Sequence, residues 1–174
     1  MKKFQLLALL LTMLTGSVSF AQDKPKPASP PASVTETIAS GSVLTINYHQ
    51  PSLKGRVIGE SVEPMRGKVW RMGANNATVF STTKDVKVNG QALPAGKYSI
   101  WGLLGEDGSF TIIFNKDWSI WGTEYEKHKQ NDVLKIVTAP TNAGAFQEML
   151  TYTIAKSGKV TGAWGEMETS FMVE

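Results

Sequence analysis

In the stretch SFTIIFN at 109–115, Phe110, Ile112 and Phe114 occupy every second position. Only an extended strand turns that period into one apolar face. Alternating or β-branched and aromatic runs recur at 43–48 (VLTINY), 77–83 (ATVFSTT), 97–104 (KYSIWGLL), 133–139 (VLKIVTA) and 147–154 (QEMLTYTI). In the run 166–173 (EMETSFMV), Met167, Phe171 and Val173 face one way and Glu166, Glu168 and Ser170 the other. The run DVKVNGQAL at 85–93 sets Asn89-Gly90 between two short strands, the strongest local hairpin signal because both turn residues must adopt positive φ. Pro94-Ala95-Gly96 and 105–108 (GEDG) turn the chain again, which predicts a meander of neighbouring antiparallel strands. Only 123–132 (TEYEKHKQND) suits a helical turn or two, and its charge predicts a surface position. The pattern predicts an all-β fold, an antiparallel sandwich or jelly-roll-like barrel with little helix, in one domain over 34–174.

The first segment has a different texture. Lys2 and Lys3 precede an apolar run at 4–14, and Ser19-Phe20-Ala21 offers small residues at a cleavage position, which predicts a signal peptide at 1–21 cut after Ala21. That run is shorter than the roughly 20 residues a bilayer crossing needs, so an exported, soluble chain with no transmembrane segment is expected, periplasmic or secreted. The stretch QDKPKPASPPAS at 22–33 holds four prolines and almost nothing apolar, and predicts a flexible tether.

Charge then narrows the partners. The chain carries 18 Lys and Arg against 15 Asp and Glu, and removing 1–21 takes away Lys2 and Lys3, leaving 16 against 15. A nearly neutral body with scattered charges argues against nucleic acid. The absence of cysteine excludes disulfides, thiol catalysis, iron–sulfur clusters and a lipid anchor on cysteine, so stability must come from burial.

Catalytic patterns are sparse. His49 and His128 are the only histidines and each stands alone in its neighbourhood, with no metal-ligand spacing, so no metal and no cofactor are expected. No Gly-x-Ser-x-Gly elbow occurs. The acidic pairs Glu124/Glu126, Glu106/Asp107 and Glu166/Glu168 fall in turns or on polar strand faces, where solvated charge accounts for them. Five tryptophans are many for this length. Trp101 is expected in the core; Trp118 and Trp121 are expected to pack, with a pocket rim as the alternative.

The polar cluster around 67–80 (GKVWRMGANNATVF) is the candidate site. Arg56 and Arg71 offer rigid forks for a carboxylate or phosphate, Trp70 a flat face, and Asn75 and Asn76 paired donors and acceptors beside Gly73. The structural alternative has Arg71 paired with a buried carboxylate or capping carbonyls, and Gly73-Ala74-Asn75 forming a bend between strands.

Two blocks, PSLKGRVIG at 51–59 and VWRMGANNATVF at 69–80, followed by KVNGQALPAGKYSIWGL at 87–103, resemble the exported bacterial proteins grouped as domain of unknown function 2911, found largely in the Bacteroidetes. The likeness runs from about Ser33 to the C-terminus and imports no activity. Its Lys-Gly-Arg block adds Lys54 to the candidate ligand-binding set of Lys54, Arg56, Trp70, Arg71, Asn75 and Asn76. Asn76 stands where many relatives carry Glu, which leaves a neutral amide in place of an acid or metal ligand. The expected function is a non-enzymatic binding module of the cell envelope holding a small polar or anionic ligand, a glycan or a protein partner. A hydrolase or isomerase of a polar metabolite, and an assembly protein without a small ligand, are the alternatives.

Overall fold

The structure is a computed structural model and describes residues 28–174. The expected signal peptide and the first half of the expected tether, 22–27, lie outside the described residues. Strands β1 (Pro31–Thr37), β2 (Val43–His49), β3 (Val69–Trp70), β4 (Thr78–Thr82), β5 (Val86–Val88), β6 (Gln91–Leu93), β7 (Gly96–Leu104) and β8 (Phe110–Asn115) lead to a helical turn α1 (Tyr125–His128). A 3-10 turn (Lys129–Asn131) and strands β9 (Asp132–Thr138), β10 (Thr141–Ile154) and β11 (Lys159–Met172) complete the chain.

One antiparallel sheet runs in the order β1-β2-β4-β7-β8-β9, with β3 paired to the end of β7. Its inner face is the alternate residues the sequence singles out: Leu44 and Ile46, Phe80, Ile100, and Phe110, Ile112 and Phe114 are all fully buried. The long hairpin β10–β11 closes over that face. Phe171 meets Phe80 and Phe114 edge-on at 6.0 and 5.7 Å between centroids, and Tyr152 meets Tyr48 at 4.8 Å. The result is a sandwich-like all-β fold; the sheet path is open, so the barrel alternative does not apply. The hairpin β5–β6 turns at Asn89 (φ 46°) and Gly90 (φ 80°), as the Asn-Gly pair predicts. Paired backbone bonds between Lys87 and Glu174 stitch it to the C-terminus.

The outer face has its own cover. Residues 116–131 cross it, and Ile120 and Tyr125 press on Trp101, Ile113 and Ala77 in a second buried cluster. The helical turn predicted at 123–132 is there, but Tyr125 anchors it with its ring centroid 5.1 Å from that of Trp101.

Two elements depart from the expected boundaries. The first strand starts at Pro31, inside the stretch read as a tether. A proline is tolerated at the first position of an edge strand because one side of the backbone needs no ladder partner. Ala32 and Val34 then pack on the core while Ser33 and Thr35 face out. The strand expected at 147–154 begins at Thr141; its first residues are exposed, so no apolar alternation marks them.

Candidate functional site

The loop after β2 runs beside β10 as an improvised strand. Leu150 N–H donates to Pro51 O at 3.0 Å, Leu53 N–H donates to Glu148 O at 2.9 Å, and Ser52 bridges Met149. Glu148 Oε1 accepts from Lys54 N–H and from Ser52 Oγ, both at 2.7 Å, and these bonds hold its carboxyl below the usual carboxylate range. Lys54 (φ 50°) and Gly55 (φ 74°) then reverse the chain. Arg56 folds back on that turn, donating Nε to Leu53 O at 2.9 Å and Nη2 to Ser52 O at 2.7 Å. A guanidinium is suited to this because its fork satisfies two carbonyls at once.

Across from the loop, the register of β10 and β11 shifts between Asn142↔Met167 and Gln147↔Gly165, which extrudes 143–146. Phe146 is left 60% exposed on this bulge, and Val57 on the facing loop is 52% exposed. Between the two walls lies a cleft of about 550 Å³ lined by Leu53, Arg56, Ile58, Phe146, Glu166 and Met167, among others. Gly165 lies in it at φ 60°, and a Cβ there would come to 3.2 Å of the terminal methyls of both Ile58 and Leu53. Glycine therefore sets both the backbone bend and the depth of the cleft. Arg56 and Glu166 both line it, yet neither belongs to an ion pair among the described residues.

The six candidate residues do not converge. Arg56 lines the cleft, and Lys54 sits exposed in the same turn, engaged through its backbone N–H. Trp70 is in the interior, 4% exposed, with Nε1 donating to Gly73 O at 3.1 Å and its ring stacked on Trp164 at 5.8 Å. Its role is packing, because the two-residue strand β3 turns it toward the core. Arg71 lies half-buried next to Gly122; burial lowers its pKa, the charge of Glu63 opposes that, and its Nε has no hydrogen-bond partner. The alternative in which Arg71 pairs with a carboxylate or caps carbonyls is not realised among the described residues. Asn75 (φ 59°) makes the bend, its carbonyl accepting from Gly122 N–H at 3.1 Å. Asn76 is exposed and lines a different hollow, on the outer face of the large sheet.

Residues 29–173 match the family described as "Protein of unknown function (DUF2911)". The chain belongs to the DUF2911 family. No curated protein and no solved structure matches it.

This DUF2911 chain also corrects two expectations about aromatic and histidine residues. Trp118 and Trp121 are both exposed and do not pack in the core. Lys97 Nζ sits 4.6 Å from the Trp118 ring centroid. His128 is not alone: its Nδ1 lies 2.6 Å from Asp117 Oδ2, which also accepts from Asn131 Nδ2 at 2.7 Å. These bonds hold the Asp117 carboxyl below its usual range, His128 contributing most. Alongside, fully buried Asn115 donates to Asp132 Oδ1 and to His128 O, both at 2.8 Å, and Tyr125 OH donates to Asp132 Oδ2 at 2.8 Å. Burial, then the Asp132 bond, pushes the Tyr125 hydroxyl up. The network ties the 116–131 crossing to the end of β8. Its sequence trace was Asn115 and Asp117 at a strand end, with His128 closing the helical turn and Asn131 and Asp132 beyond it. The sequence separation of 11 between Asp117 and His128 hides the pairing from local reading.

No helix among the described residues is long and apolar enough to cross a membrane. Among them, no three His, Asp or Glu side chains are grouped to hold a metal ion.

Proposed function

We propose that the protein is an exported, non-enzymatic binding module of the cell envelope, whose ligand is a small amphipathic molecule with an anionic group lying in the cleft between the 51–58 loop and the β10–β11 bulge. The observation that carries this reading is the cleft itself. Its volume of about 550 Å³ suits a small ligand, its lining is largely apolar, and the exposed Val57 and Phe146 flank it. Arg56 supplies the preference for an anion: Nε and Nη2 are engaged by its own loop and Nη1 is left to donate. Proton transfer in this cleft would fall to Glu166 alone, which is why a binding role is preferred to catalysis. Export rests on Lys2, Lys3, the 4–14 run and Ser19-Phe20-Ala21.

The test is calorimetric titration and thermal shift of the chain with octanoate, decanoate and N-acetylphenylalaninate against neutral analogues. The anions should raise the melting temperature and the neutral analogues should do so less, since a ligand that binds only the folded state stabilises it. Phe146→Ala, on an exposed side chain, should weaken binding without unfolding the protein. No binding by any of the anions, or binding indifferent to Phe146→Ala and Arg56→Lys, overturns the reading.

A further inference from the structure

The outer face of the large sheet carries a second concavity that the cleft does not explain. It measures about 410 Å³ and sits where β1, β2 and β4 lie side by side. The register puts Ser33 opposite Asn47 and Asn47 opposite Val79, with Pro31 opposite His49 one row along. Residues paired or two apart on neighbouring strands share a face, so these side chains stand together on the side away from the core. Asn76 and Ala77 close one end.

Three features of this hollow define its chemistry. Its lining holds no Asp, Glu, Lys or Arg, in contrast to the cleft, which holds Arg56 and Glu166. Its polar side chains Ser33, Asn47, His49 and Asn76 make no hydrogen bond to another described residue, whereas the hydroxyl of neighbouring Tyr48 already accepts from Tyr152 N–H. Finally, Asn76 is bridged antiparallel to Trp121, which sets the two side chains on the same side of that ladder, and the Trp121 indole is 50% exposed.

We infer that this hollow, with Trp121 at its edge, is a binding site for a neutral saccharide. A carboxylate or an amine entering it would give up its hydration without meeting an opposite charge. A purely apolar ligand would desolvate two amides and an imidazole without pairing them. A pyranose matches both parts of the site. Its C–H face covers the apolar floor of Ala77 and Val79 and stacks on an indole, and its hydroxyls each donate and accept, as the Asn47 and Asn76 amides do. Trp121 reaches this position because the 116–131 crossing buries Ile120 against the sheet and turns the next side chain outward. The site shares no lining residue with the cleft, so its fate is separate from that of the amphipathic anion.

The experiment is titration of the chain with maltohexaose, cellohexaose, xylohexaose, mannohexaose and hexa-N-acetylchitohexaose, read by tryptophan fluorescence and calorimetry, with sedimentation to record the oligomeric state. At least one neutral oligosaccharide should bind, and Trp121→Ala and Asn76→Ala should each weaken it about tenfold, the scale of one lost stacking or paired polar contact. Asn47→Asp, which places a charge in the hollow, should weaken it as well, while Phe146→Ala in the cleft leaves it unchanged. Circular dichroism confirms that each variant folds; Trp121, Asn76 and Asn47 are all exposed. Failure of every oligosaccharide to bind overturns the inference. So does binding unaffected by both Trp121→Ala and Asn47→Asp. A dimer that Asn47→Asp dissociates overturns it too, since the hollow would then face a second copy of the chain.

Discussion

Gly122→Ala probes the packing beneath the 116–131 crossing, at the one place where the Arg71 side chain and the Asn75 bend meet it. A methyl at this position would stand 1.8 Å from Arg71 Cδ, 2.4 Å from Asn75 O and 2.8 Å from Arg71 Nε. The arginine can swing aside, at the cost of its half-buried seat. The Asn75 carbonyl cannot, because it accepts the Gly122 N–H at 3.1 Å and belongs to a bend with φ 59°. Forcing an extra methyl into a packed site costs about 1–3 kcal/mol. Displacing that backbone hydrogen bond adds about 1 kcal/mol, and the stiffer unfolded chain of an alanine variant returns about 0.4–1 kcal/mol. The net expectation is a loss of about 1–3.5 kcal/mol, or a melting temperature lower by roughly 3–12 °C for a domain of this size. Urea unfolding with an unchanged m-value reads it directly. Arg71→Ala removes two of the three close atoms, so the double variant should recover about 1 kcal/mol relative to additivity. A Gly122→Ala protein within about 0.5 kcal/mol of the parent, or strict additivity in the cycle, refutes the described packing.

Other outcomes follow from single contacts. Tyr152→Phe removes the bond from the fully buried hydroxyl to Met72 O, but that carbonyl keeps Thr78 Oγ1 at 2.8 Å. The loss should be about 1 kcal/mol by urea titration, and one above about 3 kcal/mol contradicts the shared acceptor. Trp70→Phe forfeits the Nε1 bond to Gly73 O, whereas Trp164 Nε1 has no partner to lose. Trp70→Phe should therefore cost about 1 kcal/mol more than Trp164→Phe, and the reverse order contradicts it. Hydrogen bonds hold Asp117 below its ordinary value, so the stability it contributes is present above the unfolded carboxylate pKa of about 3.9 and is lost as the pH falls through the lower folded value. Asp117→Asn should flatten the fall in urea midpoint below about pH 4; an unchanged slope contradicts the role of the His128 and Asn131 bonds.

Strands were legible wherever one face is buried and the other is not. Phe110, Ile112 and Phe114 announced β8, and Asn89-Gly90 fixed a hairpin, because both signals are local. The first strand was obscured by Pro30 and Pro31, whose composition mimics a linker although an edge strand accepts them. The start of β10 carries no apolar stripe because it stands at the cleft instead of over the core. Arg56 could be singled out in the sequence for its guanidinium fork, and the structure places it in the lining of the cleft. Trp70 and Arg71 are neighbours in sequence but not in space: Trp70 ends β3 with its ring in the core, whereas Arg71, just past the strand, lies against Gly122 of the outer cover. The other wall of the cleft, Phe146, Gly165 and Glu166, comes from a register shift between two strands, and no local pattern in either strand encodes it. The Asp117–His128 pair was hidden for the same reason.

The most direct test of the binding role is an amide chemical-shift map of the chain titrated with decanoate. Saturable shifts should be confined to 53–58, 141–147 and 165–167, with Arg56 and Gly165 among the largest. Saturable shifts centred elsewhere, or none up to the solubility of the ligand, would contradict it.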